Sequence, residues 1–108
     1  MPLARTWIAA AALLISGAAR AEPPFIDYDW DKTDDDPETC VYSGELMLKE
    51  LGFAASKSTG NTEALGRKGD YKAIVACLPG IRLYIVAGPA YKEAKDLSAK
   101  IKQGLQPK

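Results

Sequence analysis

Tyr71-Lys72-Ala73-Ile74-Val75-Ala76-Cys77-Leu78-Pro79-Gly80-Ile81-Arg82-Leu83-Tyr84-Ile85-Val86-Ala87-Gly88 is the stretch on which the fold turns. Two runs rich in Ile, Val, Tyr and Leu, Tyr71 to Leu78 and Arg82 to Gly88, flank the turn-forming pair Pro79-Gly80 and predict a β-hairpin. Because cross-strand partners share a face and neighbours along a strand do not, the loop length decides which residues accompany Cys77. A two-residue loop groups Cys77 with Val75, Arg82 and Tyr84, whereas an odd loop groups it with Ala73, Val75, Leu83 and Ile85. The second set is wholly apolar, so the expectation is an odd loop with that face turned to the helices. The opposite face then carries Lys72, Ile74, Ala76, Leu78, Arg82, Tyr84 and Val86.

Upstream of the hairpin, Phe53 to Ser58 reads as a first strand and Glu63 to Arg67 as a short extended piece before a Lys68-Gly69-Asp70 turn. A helix is expected from Pro37 to Leu51, with Asp36 as N-cap, Glu38 complementing the helix dipole and Gly52 as the stop. Its inward stripe is Cys40, Gly44, Met47, Leu48 and Leu51. A second helix follows Gly88-Pro89 and ends near Leu105, with Ala90, Ala94, Leu97, Ile101 and Leu105 on one side and lysines and acids on the other. The predicted fold class is α+β in two layers: helix, a three- or four-stranded antiparallel sheet, then helix, with both helices on one sheet face.

The first 21 residues have the pattern of a secretory signal peptide: Arg5, an apolar run from Trp7 to Ala18, and Ala19-Arg20-Ala21 as the cleavage site. That run of about a dozen residues is shorter than the roughly 20 needed to cross a bilayer. The expected domain plan is a signal peptide over 1–21, an acidic extended leader over 22–36 and one small domain over 37–108, exported to the periplasm or secreted. No membrane span is expected after cleavage. Export places Cys40 and Cys77, the two cysteines of the chain, where an even count pairs into a disulfide. Without Arg5 and Arg20, 12 basic side chains face 14 acidic ones, a formal net charge of −2 that disfavours nucleic acid as a partner.

The leader concentrates acids. Asp27-Tyr28-Asp29-Trp30-Asp31-Lys32-Thr33-Asp34-Asp35-Asp36-Pro37-Glu38 resembles the calcium loop of the EF-hand family, with carboxylates at its first, third, fifth, ninth and twelfth positions. The resemblance implies calcium, or another hard cation, held by Asp27, Asp29, Asp31, Asp35 and Glu38. Lys32 stands where that loop has its glycine, and no helix enters from upstream.

With no histidine in the chain, Ser-His-Asp and Cys-His nucleophile arrangements and histidine metal sites are excluded, and no enzyme activity is expected. Ile74, Leu78, Tyr84 and Val86 on the uncovered sheet face are the expected partner surface, for an unknown protein, a small ligand or a second copy in a homodimer. Phe25, Ile26 and Trp30 of the leader are a further candidate cover for that face. The expected function is a small exported, non-catalytic binding protein, with cation binding through 27–38 as the alternative.

Overall fold

The computed structural model describes residues 23–106, which form a five-stranded antiparallel sheet with two helices packed on one face. The signal-peptide segment lies outside the described residues. In chain order the elements are β1 (Phe25–Lys32), α1 (Pro37–Glu50), β2 (Ala54–Lys57), β3 (Glu63–Lys68), β4 (Tyr71–Leu78), β5 (Ile81–Gly88) and α2 (Tyr91–Leu105). The spatial order is β1-β5-β4-β3-β2. The α+β class, the shared helix face and the disulfide are as expected, but the sheet has five strands, not three or four. The additional strand is β1, which precedes the first helix and is built from the acidic leader.

Local chemistry accounts for each boundary. Asp36 caps α1 by accepting the Thr39 N–H through Oδ1 at 3.3 Å, and Pro37 occupies the first turn, where its missing N–H costs nothing. The helix ends in a Schellman arrangement: Phe53 N–H donates to Leu48 O at 2.9 Å and Gly52 N–H to Lys49 O at 3.0 Å. Gly52 takes the left-handed conformation this cap requires, with φ of 91°. At the start of α2 the cap residue is Ala90, which has no side chain for the task. The Tyr71 hydroxyl, reaching from β4, accepts the Ala90 N–H at 3.2 Å and donates to Glu93 at 3.0 Å.

The β4–β5 hairpin corrects the expected loop. Leu78 pairs directly with Ile81, so the loop is the two residues Pro79-Gly80. Gly80 has φ of 81°, and proline followed by a positive-φ glycine is the residue pattern of a type II turn. Parity therefore puts Arg82, Tyr84 and Val86 under the helices with Ala73, Val75 and Cys77, all of them buried. Leu83 and Ile85 are moved to the open face. The cost of an inward arginine is met from the neighbouring strand, because Asp31 lies directly across from Arg82 in the β1–β5 register.

The core fills the space between this face and the helices with Val41, Leu48, Val75, Tyr84, Val86 and Ile101, all fully buried. Cys40 and Cys77 join α1 to β4, with Cα atoms 5.9 Å apart. One turn further along α1, Gly44 sits so near the sheet that an added Cβ would stand 3.1 Å from Val75, so any larger residue there pushes the helix outward. The disulfide closes a loop with a sequence separation of 37. Unfolded-chain restriction over that length is worth about 3–4 kcal/mol. Urea denaturation of a Cys40→Ala/Cys77→Ala variant is expected to show a loss of that order; a loss under about 1 kcal/mol would contradict it.

Candidate functional site: the open sheet face

Strict alternation along β1 separates two chemistries. Asp27, Asp29 and Asp31 face the helix layer, opposite Val86, Tyr84 and Arg82, whereas Ile26, Tyr28 and Trp30 face away, opposite Ala87, Ile85 and Leu83. The outward row continues across the sheet: Trp30, Leu83 and Ala76 stand side by side, as do Tyr28, Ile85, Ile74 and Leu65. Leu78 and Ile81 add a third row at the hairpin end. The most exposed side chains of this surface are Tyr28 at 69%, Ile26 at 58%, Trp30 at 52% and Leu78 at 51%. Four such residues on one face, with half-buried Leu and Ile between them, form a continuous apolar patch; scattered single exposures would need no explanation.

Glu63 continues the Trp30–Leu83–Ala76 row onto β3, and the cations of the face lie at its ends. Lys32 occupies the hairpin end of β1, while Arg67 and Lys72 are directly paired at the opposite end. There Ala54, Ser56, Leu65 and Ile74 complete a shallow concavity of about 370 Å³. An apolar centre with a polar rim is the anatomy of a protein–protein interface.

Beneath the sheet, a polar seam ties β1 to the rest. Arg82 Nε donates to Asp31 Oδ1 at 3.2 Å, the Tyr84 hydroxyl lies 2.9 Å from both Asp31 oxygens, and the Gln106 side-chain amide donates to Oδ2. One step along, Lys102 donates to Asp29 at 2.8 Å. That ammonium first, and then the Trp30 backbone N–H, hold the Asp29 carboxyl below the usual range. Burial, and then the hydrogen bond to the Asp31 carboxylate, push the Tyr84 phenol well above its usual range, because a phenolate there would lose water and face a like charge. Tyr84 is held as a donor. The seam is a fastening of β1 to β5 and α2.

Of the expected partner surface, Ile74 and Leu78 lie on the open face, whereas Tyr84 and Val86 are fully buried beneath the helices, a consequence of the two-residue turn. Phe25, Ile26 and Trp30 do not fold back as a cover: as part of β1, Ile26 and Trp30 enlarge the face, and Phe25 packs edge-on to Tyr91 with ring centres 6.3 Å apart. Asp27, Asp29 and Asp31 are spread along a strand, where alternate residues are about 7 Å apart, and Asp35 and Glu38 follow at the entry to α1. Among the described residues, no group of three or more His, Cys, Asp or Glu side chains is arranged to hold a metal ion.

The residues missed from sequence are Tyr28, Leu65, Ile81, Leu83 and Ile85. For Tyr28 the signal was the period-two pattern from Ile26 to Asp31, outweighed there by proline and acid content, whereas Leu83 and Ile85 went to the inner face with the odd-loop expectation. No protein-family model matches the chain, and no curated protein matches it.

Tyr84 carries a pH signature. Unfolded, its phenol ionises near pH 10; folded, it keeps its proton to higher pH, so the native state binds more protons and stability falls as pH rises above about 10. Denaturant titrations of Tyr84→Phe are expected to show a shallower loss of stability between about pH 10 and 12 than the parent, and an unchanged slope would contradict the assignment.

Proposed function

We propose that this protein is a small, exported, non-catalytic binding protein whose working surface is the open face of its sheet. The observation that carries the reading is the contiguous exposure of Ile26, Tyr28, Trp30 and Leu78 on a face that neither helix covers. Soluble chains rarely leave such a patch bare. Side chains of this kind, aromatic and rigid with a lysine and arginine margin, suit a macromolecular partner better than a small substrate, since the surface is broad and its concavity shallow.

Support for a non-catalytic role comes from the chemistry on offer. The chain has no histidine, its two cysteines are joined to each other, and the buried phenol of Tyr84 is held protonated within the seam. Periplasmic or secreted placement is favoured by the leader sequence and by a disulfide suited to an oxidising compartment. Among the described residues no helix is long and apolar enough to cross a membrane. Calcium binding through Asp27, Asp29, Asp31, Asp35 and Glu38 draws less support, because Asp29 and Asp31 are already bonded to Lys102, Arg82 and Tyr84.

A photoreactive amino acid placed at Tyr28 or Leu78 in the full chain, in the cells that make it, tests the surface directly. Covalent adducts with a macromolecule are expected from these two positions and not from Lys92 or Lys95 on the exposed side of α2. Equal yields from all four, or none, would overturn the proposal.

A further inference from the structure

We infer that the occupant of the open sheet face is a second copy of this chain, stacked face to face to make a four-layer, helix–sheet–sheet–helix dimer. The inference rests on the proposed use of that face and adds the identity of the partner. Three observations carry it.

The first is the state of the sheet edge. β1 is an eight-residue edge strand, the natural place for two copies to join edge to edge. Its alternation disfavours this. In the antiparallel pairing of β1 with β1 that overlaps most of the strand and keeps the two sheets' faces aligned, inward residues meet inward residues, so Asp29 falls opposite Asp29 and Asp27 opposite Asp31. Like charges directly opposite are destabilising, and these carboxylates, although bonded within their own molecule to Lys102, Arg82 and Tyr84, weigh against that pairing. The larger apolar surface available for self-association is the face.

The second is shape. Across its middle the face is tall on the β1 side, with Tyr28 and Trp30, and lower on the β4 side, where Ile74 and Ala76 lie between exposed Lys72 and Leu78. A two-fold axis along β5 lays β1 of each copy over β4 of the other. Trp30 then stands across from Ala76 and Tyr28 from Ile74, large over small, and Leu83 and Ile85 meet their own counterparts on the axis. Lys32 and Lys72 come at the two ends of the overlap, where their stems cover Leu78 and Ile26 and their ammonium groups reach water. Arg67 and Glu63, on β3, lie outside the three-strand overlap.

The third is area. A strand rise of about 3.4 Å and a strand spacing of about 4.8 Å give β1, β5 and β4, at eight residues each, a flat footprint of about 400 Å². Two such faces give about 800 Å² when taken as flat, and side-chain relief raises the buried accessible area towards the roughly 1,000 Å² of a small specific interface. An interface of that size, apolar at its centre and without a buried charge, is at the small end for a specific pair, and a weak, reversible dimer is expected.

Light scattering coupled to size exclusion, run on the mature oxidised protein from about 5 to 500 μM, reads the mass directly. The expected result is a shift from monomer to dimer within this range, lost at every concentration in Trp30→Lys. Tyr28→Lys serves as a second variant if the first fails to fold, as judged by circular dichroism. A parent that stays monomeric throughout overturns the dimer; photo-adducts of Tyr28 and Leu78 with a different protein or a lipid would in that case leave the binding surface standing with another occupant. A dimer that survives both substitutions would also overturn the inference, because it would be formed by another surface.

Discussion

The two-residue Pro79-Gly80 turn is the constraint on which the rest of the structure depends. By pairing Leu78 with Ile81 it sets the parity of β5, and parity sends Arg82 and Tyr84 into the layer between sheet and helices. A guanidinium so placed is tolerable only with a partner, since a buried unpaired charge costs several kcal/mol. Asp31 supplies that partner from the adjacent strand, and with Tyr84 and Gln106 it completes a hydrogen-bonded cluster around one carboxylate. Cys77, directly opposite Arg82 on β4, lies on the same side of the sheet, where Cys40 reaches it. Turn and seam are two expressions of one register, and the disulfide fastens the same face of β4 to α1.

That register also decides what the protein shows to its surroundings. Docking β1 by its aspartates turns Ile26, Tyr28 and Trp30 outward, alongside Leu83 and Ile85. Acidic side chains in β1 thus act as an inward anchor, and the strand's apolar side chains become surface. The arrangement reverses the usual expectation for a strand at a sheet edge, and it concentrates apolar area on the face without helices. The polar groups of the seam are bonded to one another beneath the sheet.

Much of the fold was legible in the sequence, and the misses share a cause. Helix α1 was marked by Asp36, Pro37 and Gly52, α2 by the spacing of Ala94, Leu97 and Ile101, and the disulfide by two cysteines behind a leader read as an export signal. The hairpin was visible, yet its parity was misassigned because an apolar set looked the better inner face than one holding Arg82. Pairing with Asp31 across 51 residues of sequence is what reverses that preference, and such a partner is invisible until β1 is placed. β1 itself was obscured by composition: aspartate and proline signal an extended, solvated leader, although alternation of Ile26, Tyr28 and Trp30 with Asp27, Asp29 and Asp31 is strand periodicity. Reading that period would have supplied the fifth strand and most of the open face together.

Intermolecular nuclear Overhauser contacts in a mixture of isotope-labelled and unlabelled protein test the central claim most directly. The account predicts contacts from Leu83 and Ile85 methyl groups to the same residues of another molecule, and from the Trp30 indole to Ala76. Contacts confined to the helix layer, or none at concentrations where the protein is dimeric, would contradict it.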